Sequence, residues 1–397
     1  MNMIGAYMYD AVVVGGGPAG ATAAADLALN GRRVLLLDRA GRIKPCGGAI
    51  PPRLVRDFEI AESQIVARAT GARIVSPTNK VSDMPIPAAA EGGYVGMVDR
   101  EHFDEYLRER ATQAGAERAT GRYSHISHEP DGTTVVHFTA PDATEHQVRT
   151  RTVIGADGAK SQVARQCVKG WEHIKYVFAY HEIIATPPGY DASRCDVYYQ
   201  GGVSPDFYAW VFPHGKTMSV GTGSAKKGFG LRPAITALRA ATGLADQETI
   251  RREGAPIPMR PMKRWDNGRD VVLAGDAAGV VAPASGEGIY YAMIGGRLAA
   301  EAVEAMCTTG DVRSLRLARK RFMKDHGRVF FILGIMQHFW YSSDKRRESF
   351  VKMCNDKDVQ RLTWEAYMNK KLVRADPMAH LRIFLKDMAH LCGFARA

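Results

Sequence analysis

The chain lacks any apolar run near the roughly 20 residues that a bilayer-spanning helix needs; its longest, Val329 to Met336, is far shorter. No spanning segment is expected. No basic region and cleavage site precede the first apolar run, Ala11 to Val14, so a secretory signal is not expected either, and the cytoplasm is the expected compartment. Cysteine is sparse. Cys46, Cys167, Cys195, Cys307, Cys354 and Cys392 are scattered without a C-x-x-C pair, which points to reduced thiols. None of the histidines from His125 to His214 stands in ligand spacing with Asp, Glu or Cys, so no metal is expected. Internal repeats and low-complexity tracts are missing as well.

What is present is an ordinary globular composition, with 46% hydrophobic and 24% charged residues among 397. Single cores stop growing near 250–300 residues, so more than one unit is expected. The net charge of +11 is concentrated at one end: from Asp311 onward nineteen Lys and Arg face nine Asp and Glu, leaving +1 for everything before.

Residues 9–38 read as strand, glycine turn, helix and strand. Ala11–Val14 and Val34–Leu37 are buried parallel runs, and Pro18–Asn30 is an alanine-rich helix that Gly31 ends. Gly15, Gly17 and Gly20 form G-x-G-x-x-G between them, and Asp38 closes the second strand. Gly15 permits the turn, Gly17 lets a pyrophosphate approach the helix N-terminus, Gly20 allows close packing, and Asp38 can accept from a ribose hydroxyl. The loop KPCGGAIPP is too rich in Gly and Pro for a regular element, and Asp99–Ala114 is helical. Short β-type runs between 170 and 262 predict a mostly antiparallel sheet. A strand at Asp270–Gly275 and a helix over Gly286–Met306 follow, and the pattern after 310 is helical and basic. Tyr208, Trp210 and Phe212 alternate and therefore point to one sheet face.

Two further segments, Gly155-Ala-Asp-Gly158 and Gly275-Asp-Ala-Ala278 leading into Gly286-Glu-Gly-Ile289, follow apolar strands in the right order. With the glycine loop they make residues 9–310 resemble the flavoprotein superfamily of the aromatic hydroxylases and geranylgeranyl reductases. Lys44-Pro-Cys-Gly-Gly48 and Tyr208-Ala-Trp-Val-Phe-Pro213, then DRAGRIKPCGGAIPPRL and GMVDREHFDEYLRERA, narrow the resemblance to the geranylgeranyl reductases of (bacterio)chlorophyll synthesis.

That resemblance implies an α/β fold: a Rossmann-like FAD-binding domain of aromatic-hydroxylase type with an inserted, mostly antiparallel substrate sheet and a C-terminal helical region. Its expected boundaries are 8–62, 99–165 and 268–310 for FAD, 63–98 and 166–267 for substrate, and 311–397 for the basic helices. It implies that Gly15, Gly17, Ala19, Gly20, Asp38 and Arg39 hold FAD, with Arg100 at the pyrophosphate and the backbone near Tyr123 at the adenine. Asp276 would meet the ribityl hydroxyls, while Gly288 and Ile289 would face the flavin N1–C2=O edge. Cys46 and Gly47 would pass the isoalloxazine. Asp157, Ser161 and Arg165 are divided between FAD contacts and helix capping.

The implied reaction saturates three of four C=C bonds of a geranylgeranyl chain, as diphosphate or pigment ester, to phytyl. NADPH is the implied transient donor, with a reduced ferredoxin as the other option. Tyr208, Trp210 and Phe212 would line the lipid cavity, although the same rings also suit plain sheet core. Cys46 is the first candidate acid, with Tyr208 its rival, Glu287 a third and simple packing an equal alternative for the thiol. A flavin monooxygenase and a non-catalytic prenyl escort of the same fold are the competing readings. The expected partners are a polyprenyl substrate, an anionic membrane surface met peripherally and chlorophyll synthase-type membrane enzymes, with no nucleic acid. The membrane expectation rests on the basic tail, where Met378, Leu381, Phe384, Leu385, Met388 and Leu391 recur at helical spacing.

Overall fold

Tyr9–Val14 and Val34–Asp38, almost wholly buried apolar runs, pair in parallel at the centre of an eight-stranded sheet. Burial on both faces is what a parallel strand flanked by helices requires. The computed structural model describes residues 2, 3, 8–39, 41, 43–87 and 93–370. It divides into two units. The first takes the chain as far as Lys44, Arg100–Tyr176 and Pro256–Phe331; the second takes Pro45–Asp99, Val177–Ala255 and the chain from Ile332.

In the first unit the parallel order runs Glu117–Thr120, Val34–Asp38, Tyr9–Val14, Glu145–Gly155 and Val271–Leu273. Arg122–His128 and Thr134–Thr139 extend Glu145–Gly155 as an antiparallel arm. Pro18–Leu29 packs against both Ile289–Thr309 and Arg100–Gln113. The helix expected from Gly286 begins instead at Ile289, because Ala284 and Gly286 have φ of +64° and +66° and belong to a turn that precedes it.

In the second unit Tyr176–Ala185, Thr217–Ser224, Ala209–His214 and Arg194–Tyr198 run antiparallel in that order. Arg194–Tyr198 then pairs in parallel with Gly71–Val75, which turns back onto Val81–Pro85, and Thr249–Pro258 lies at the other edge. One face is core: Ala209, Val211, Met218 and Val220 pack with Ile235 and Leu238 of the helix Leu231–Ala241.

The units differ from the expected boundaries for local reasons. Ala49–Ile50 is tied to Val95–Met97, so residues 45–62 go with the second unit. Residues 256–267 go with the first, where the carbonyl of buried Trp265 accepts from Leu273 N at 2.7 Å. Part of the expected C-terminal region does too: buried Leu315 and Phe322 lie there, Phe322 with its ring 5.1 Å from that of Trp265. Leu317–Trp340, Asp344–Met353 and Lys357–Asn369 are helices. The apolar run from Val329 lies within the first of them, and among the described residues no helix is long and apolar enough to cross a membrane. The stripe from Met378 to Leu391 lies outside the described residues.

Candidate functional site

The glycine loop separates two kinds of glycine. At Gly15, with φ of +105°, a Cβ would stand 2.4 Å from the carbonyl oxygen of Ala156, and at Gly20 it would stand 1.8 Å from that of Gly15. Both are demanded by the protein's own packing. At Gly17 the nearest atom a Cβ would meet is Asp104 Oδ2, 4.0 Å away. The protein's own packing therefore does not demand a glycine at 17. Gly17 is the N-cap of Pro18–Leu29 without a side-chain cap, and Pro18 brings no N–H, so Ala19 and Gly20 carry the donors of the first turn.

Asp38 ends its strand half-buried, with Arg39 exposed beside it. Arg108 reaches Asp38 Oδ2 and the carbonyl oxygen of Gly16, each at 3.2 Å. Glu105 then links Arg108 to Arg118, and the Arg118 hydrogen bonds, with help from Arg108, hold its carboxyl down at about pH 2. Arg100 is buried, in a two-point pair with Asp104 at 2.7 Å per contact, so it is not a solvated helix-start residue. Asp104 is the side chain nearest Gly17. Arg100, Asp104 and Arg108 thus recur every four residues along one helix beneath the loop. Asp104 and Arg108 escaped the sequence reading, although this i, i+4 ladder is visible in DREHFDEYLRERA. Gly121 N donates to Asp38 O at 2.8 Å, bringing the next strand's Tyr123 to the same sheet end; the Tyr123 hydroxyl donates to Gln166 at 2.7 Å.

Asp157 and Ser161 both cap the helix Gln162–Cys167. Ser161 Oγ accepts from Ala164 N at 2.8 Å, and Asp157 accepts from Gln162 N at 2.7 Å and Val163 N at 3.2 Å. Burial raises the Asp157 carboxyl.

Asp276 lies in the short turn Gly275–Ala278 and forms an ion pair with Lys44. Its Oδ1 is 3.8 Å from where a Cβ on Gly288 would sit. Gly288 caps the 21-residue helix that starts at Ile289, so a carboxylate and a helix N-terminus face the same space. Lys44 as the partner of Asp276 was not foreseen.

In the second unit Tyr208, Trp210 and Phe212 do share a face, with ring centroids 6.0 and 6.2 Å apart in succession. Their neighbours Ala209 and Val211 point into the opposite core. Trp210 lies over Gly221, where a Cβ would fall 2.0 Å from the indole Cζ2. Its Nε1 donates to Ser219 Oγ at 3.1 Å; Ser219 also meets His181 Nδ1 at 2.9 Å, and His181 Nε2 meets Glu253 at 2.9 Å. The cysteine loop rests on this wall. A Cβ on Gly47 would be 3.1 Å from the Phe212 ring, and the Gly47 carbonyl oxygen accepts from His214 Nε2 at 3.1 Å. The Gly48 N–H points at Cys46 Sγ across 3.4 Å, and the thiol is partly exposed. Among the described residues no cluster of three or more His, Cys, Asp or Glu could hold a metal.

Comparison with known proteins agrees with this geometry. The FAD binding domain family matches residues 8–315. A crystal structure of a geranylgeranyl bacteriochlorophyll reductase-like protein from Thermoplasma acidophilum superimposes with a TM-score of 0.80 at 23% identity, covering 95% of this chain and all of that one. The p-nitrophenol 4-monooxygenase of Pseudomonas putida does so with a TM-score of 0.70 at 17% identity, over 94% of this chain and all of its own. Fold and glycine loop together define an FAD-binding flavoprotein of the aromatic-hydroxylase type. Geranylgeranyl diphosphate reductase of Rhodobacter capsulatus is 57% identical over 388 residues, 97% of this chain and 98% of the relative. That of Synechocystis is 36% identical over 96% of this chain and 97% of its own. The chain belongs to the geranylgeranyl reductase family.

Proposed function

We propose that this chain saturates C=C bonds of a geranylgeranyl group, carried as its diphosphate or as a pigment ester, to give phytyl, with FAD resident and NADPH as donor. The observation that carries the reading is the 57% identity over essentially the whole of both chains to a geranylgeranyl diphosphate reductase. Fold alone does not, because a monooxygenase shares it.

The residues of the first unit suit FAD. Gly17, Ala19 and Gly20 would hold the pyrophosphate with Arg100 behind them, Asp38 and Arg39 the adenosine ribose, and the backbone near Tyr123 the adenine. Asp276 would hold the ribityl hydroxyls, and Gly288 and Ile289 the N1–C2=O edge. When bound, FAD supplies the hydride. An isoprenoid double bond is unactivated, so a proton must reach the other carbon and water must be kept away. Tyr208, Trp210 and Phe212 supply an apolar wall for the prenyl chain, and Ser219 pins the indole. Cys46, on the loop laid against that wall, holds the proton at Sγ, with Tyr208 Oη as the rival source.

A lipid-resident substrate and the basic C-terminal region from Asp311 onward favour peripheral attachment to an anionic membrane, beside chlorophyll synthase-type enzymes. The test is anaerobic incubation of the FAD-loaded protein with NADPH and either geranylgeranyl diphosphate or geranylgeranyl-chlorophyllide. Products heavier by successive pairs of hydrogen are expected. Oxygen uptake coupled to NADPH use, with no mass gain, would make it a monooxygenase, and a protein that retains prenyl chains but never flavin would make it an escort.

A further inference from the structure

The Lys44–Asp276 ion pair joins residues 232 positions apart, with side chains 32% and 10% exposed. One carboxylate oxygen is on Lys44 and the other is turned toward Gly288, at the start of the long helix. Tyr176 also bears on this site; burial and the Asp276 carboxylate both raise its pKa, so it adds no charge. Lys44 is therefore a side-chain cation that acts beside the positive end of the helix dipole.

We propose that Lys44 sets the reduction potential of the flavin. The proposal rests on the reading that places the ribityl chain at Asp276 and the N1–C2=O edge at Gly288. NADPH passes two electrons and one proton to the ring as hydride, becoming NADP+, and the ring gains one negative charge. A bare carboxylate beside that edge opposes the gain. An ammonium on the carboxylate cancels the opposition, and in a half-buried site such a charge is screened far less than in water. The helix N-terminus adds a partial positive charge of the same sense. Lys44 thus lets one side chain, Asp276, grip the ribityl hydroxyls as an anion without penalising the reduced ring.

The test is an anaerobic spectrophotometric titration against a reference dye, at saturating FAD, of the wild type, Lys44→Met, Lys44→Gln, Lys44→Arg and Asp276→Asn. Both neutral variants at 44 should shift the oxidised-to-reduced equilibrium at least tenfold toward oxidised, a drop of about 30 mV for a two-electron couple. Lys44→Arg should stay near wild type, and Asp276→Asn, which leaves the cation alone, should move the potential upward. Unchanged potentials in Lys44→Met and Lys44→Gln overturn the proposal, as do shifts of one sign at both positions, which mere loosening of the turn would give. FAD affinity is read in the same samples. Undiminished affinity in Asp276→Asn sinks the placement of the ribityl chain and this inference with it, whereas weakened affinity there with unmoved potentials at 44 sinks the inference alone.

Discussion

His214 Nε2 donates to the carbonyl oxygen of Gly47 at 3.1 Å, tying the middle of the cysteine loop to the end of the aromatic strand. Burial pushes the imidazole below its ordinary value, and the Gly47 bond offsets this only in part. The unfolded chain therefore takes up this proton first as pH falls. Stability from this group is complete above about pH 6.5 and declines below it until the folded-state pKa is reached. Glutamine can donate to the same carbonyl and does not titrate. His214→Gln should lose less Tm than the wild type between pH 7 and pH 5, and identical slopes would show that the ring is not linked to folding.

Gly17→Ala and Gly20→Ala should part company. A Cβ at position 20 collides with Gly15 O, and overpacking of this kind costs about 1–3 kcal/mol or more. At 17 a Cβ finds room, so that variant should fold with nearly native Tm and yet retain FAD poorly. Flavin content and thermal melts on both proteins check this, and full flavin in Gly17→Ala would remove the pyrophosphate from that position.

Cys46→Ser keeps the size of the side chain and replaces a thiol by a much weaker acid. With Cys46 as the proton source, flavin reduction by NADPH continues while alkene saturation falls by roughly 10²–10⁴-fold. Unchanged product formation would leave Cys46 as packing and transfer the role to Tyr208.

The intact protein should co-sediment with anionic vesicles at low salt and be released as salt rises, since each Lys or Arg near such a surface contributes about 1 kcal/mol and is screened over a Debye length. Failure to sediment, or release only by detergent, would contradict peripheral electrostatic attachment.

Local pattern made the nucleotide fold legible. The apolar runs at Ala11–Val14 and Val34–Leu37, the glycine spacing and the alternation of Tyr208, Trp210 and Phe212 are all features of neighbouring residues, and the strands and shared face follow from them. What stayed hidden was long-range pairing. Nothing near Lys44 announces Asp276, nothing near Asp38 announces Arg108, and His214 gives no sign of Gly47. Asp157 and Ser161 were ambiguous because capping and ligand binding ask for the same oxygens; their contacts with Gln162, Val163 and Ala164 show the capping role. The unit boundaries shifted because Ala49–Ile50 and Trp265 are claimed by distant strands that no local signal names.

The chain passes from one unit to the other after Lys44, Asp99, Tyr176, Ala255 and Phe331. During synthesis the strand Tyr9–Val14 therefore emerges long before Val271–Leu273 and the helix Ile289–Thr309, which its unit needs for closure. At ordinary translation rates that interval is on the order of 15–60 s. The sheet, with Val34–Asp38 already beside Tyr9–Val14, thus waits at the ribosome without Val271–Leu273 and Ile289–Thr309, which makes the nascent protein a natural client for chaperones and makes truncation before Val271 a route to aggregation rather than to an isolated nucleotide-binding fragment.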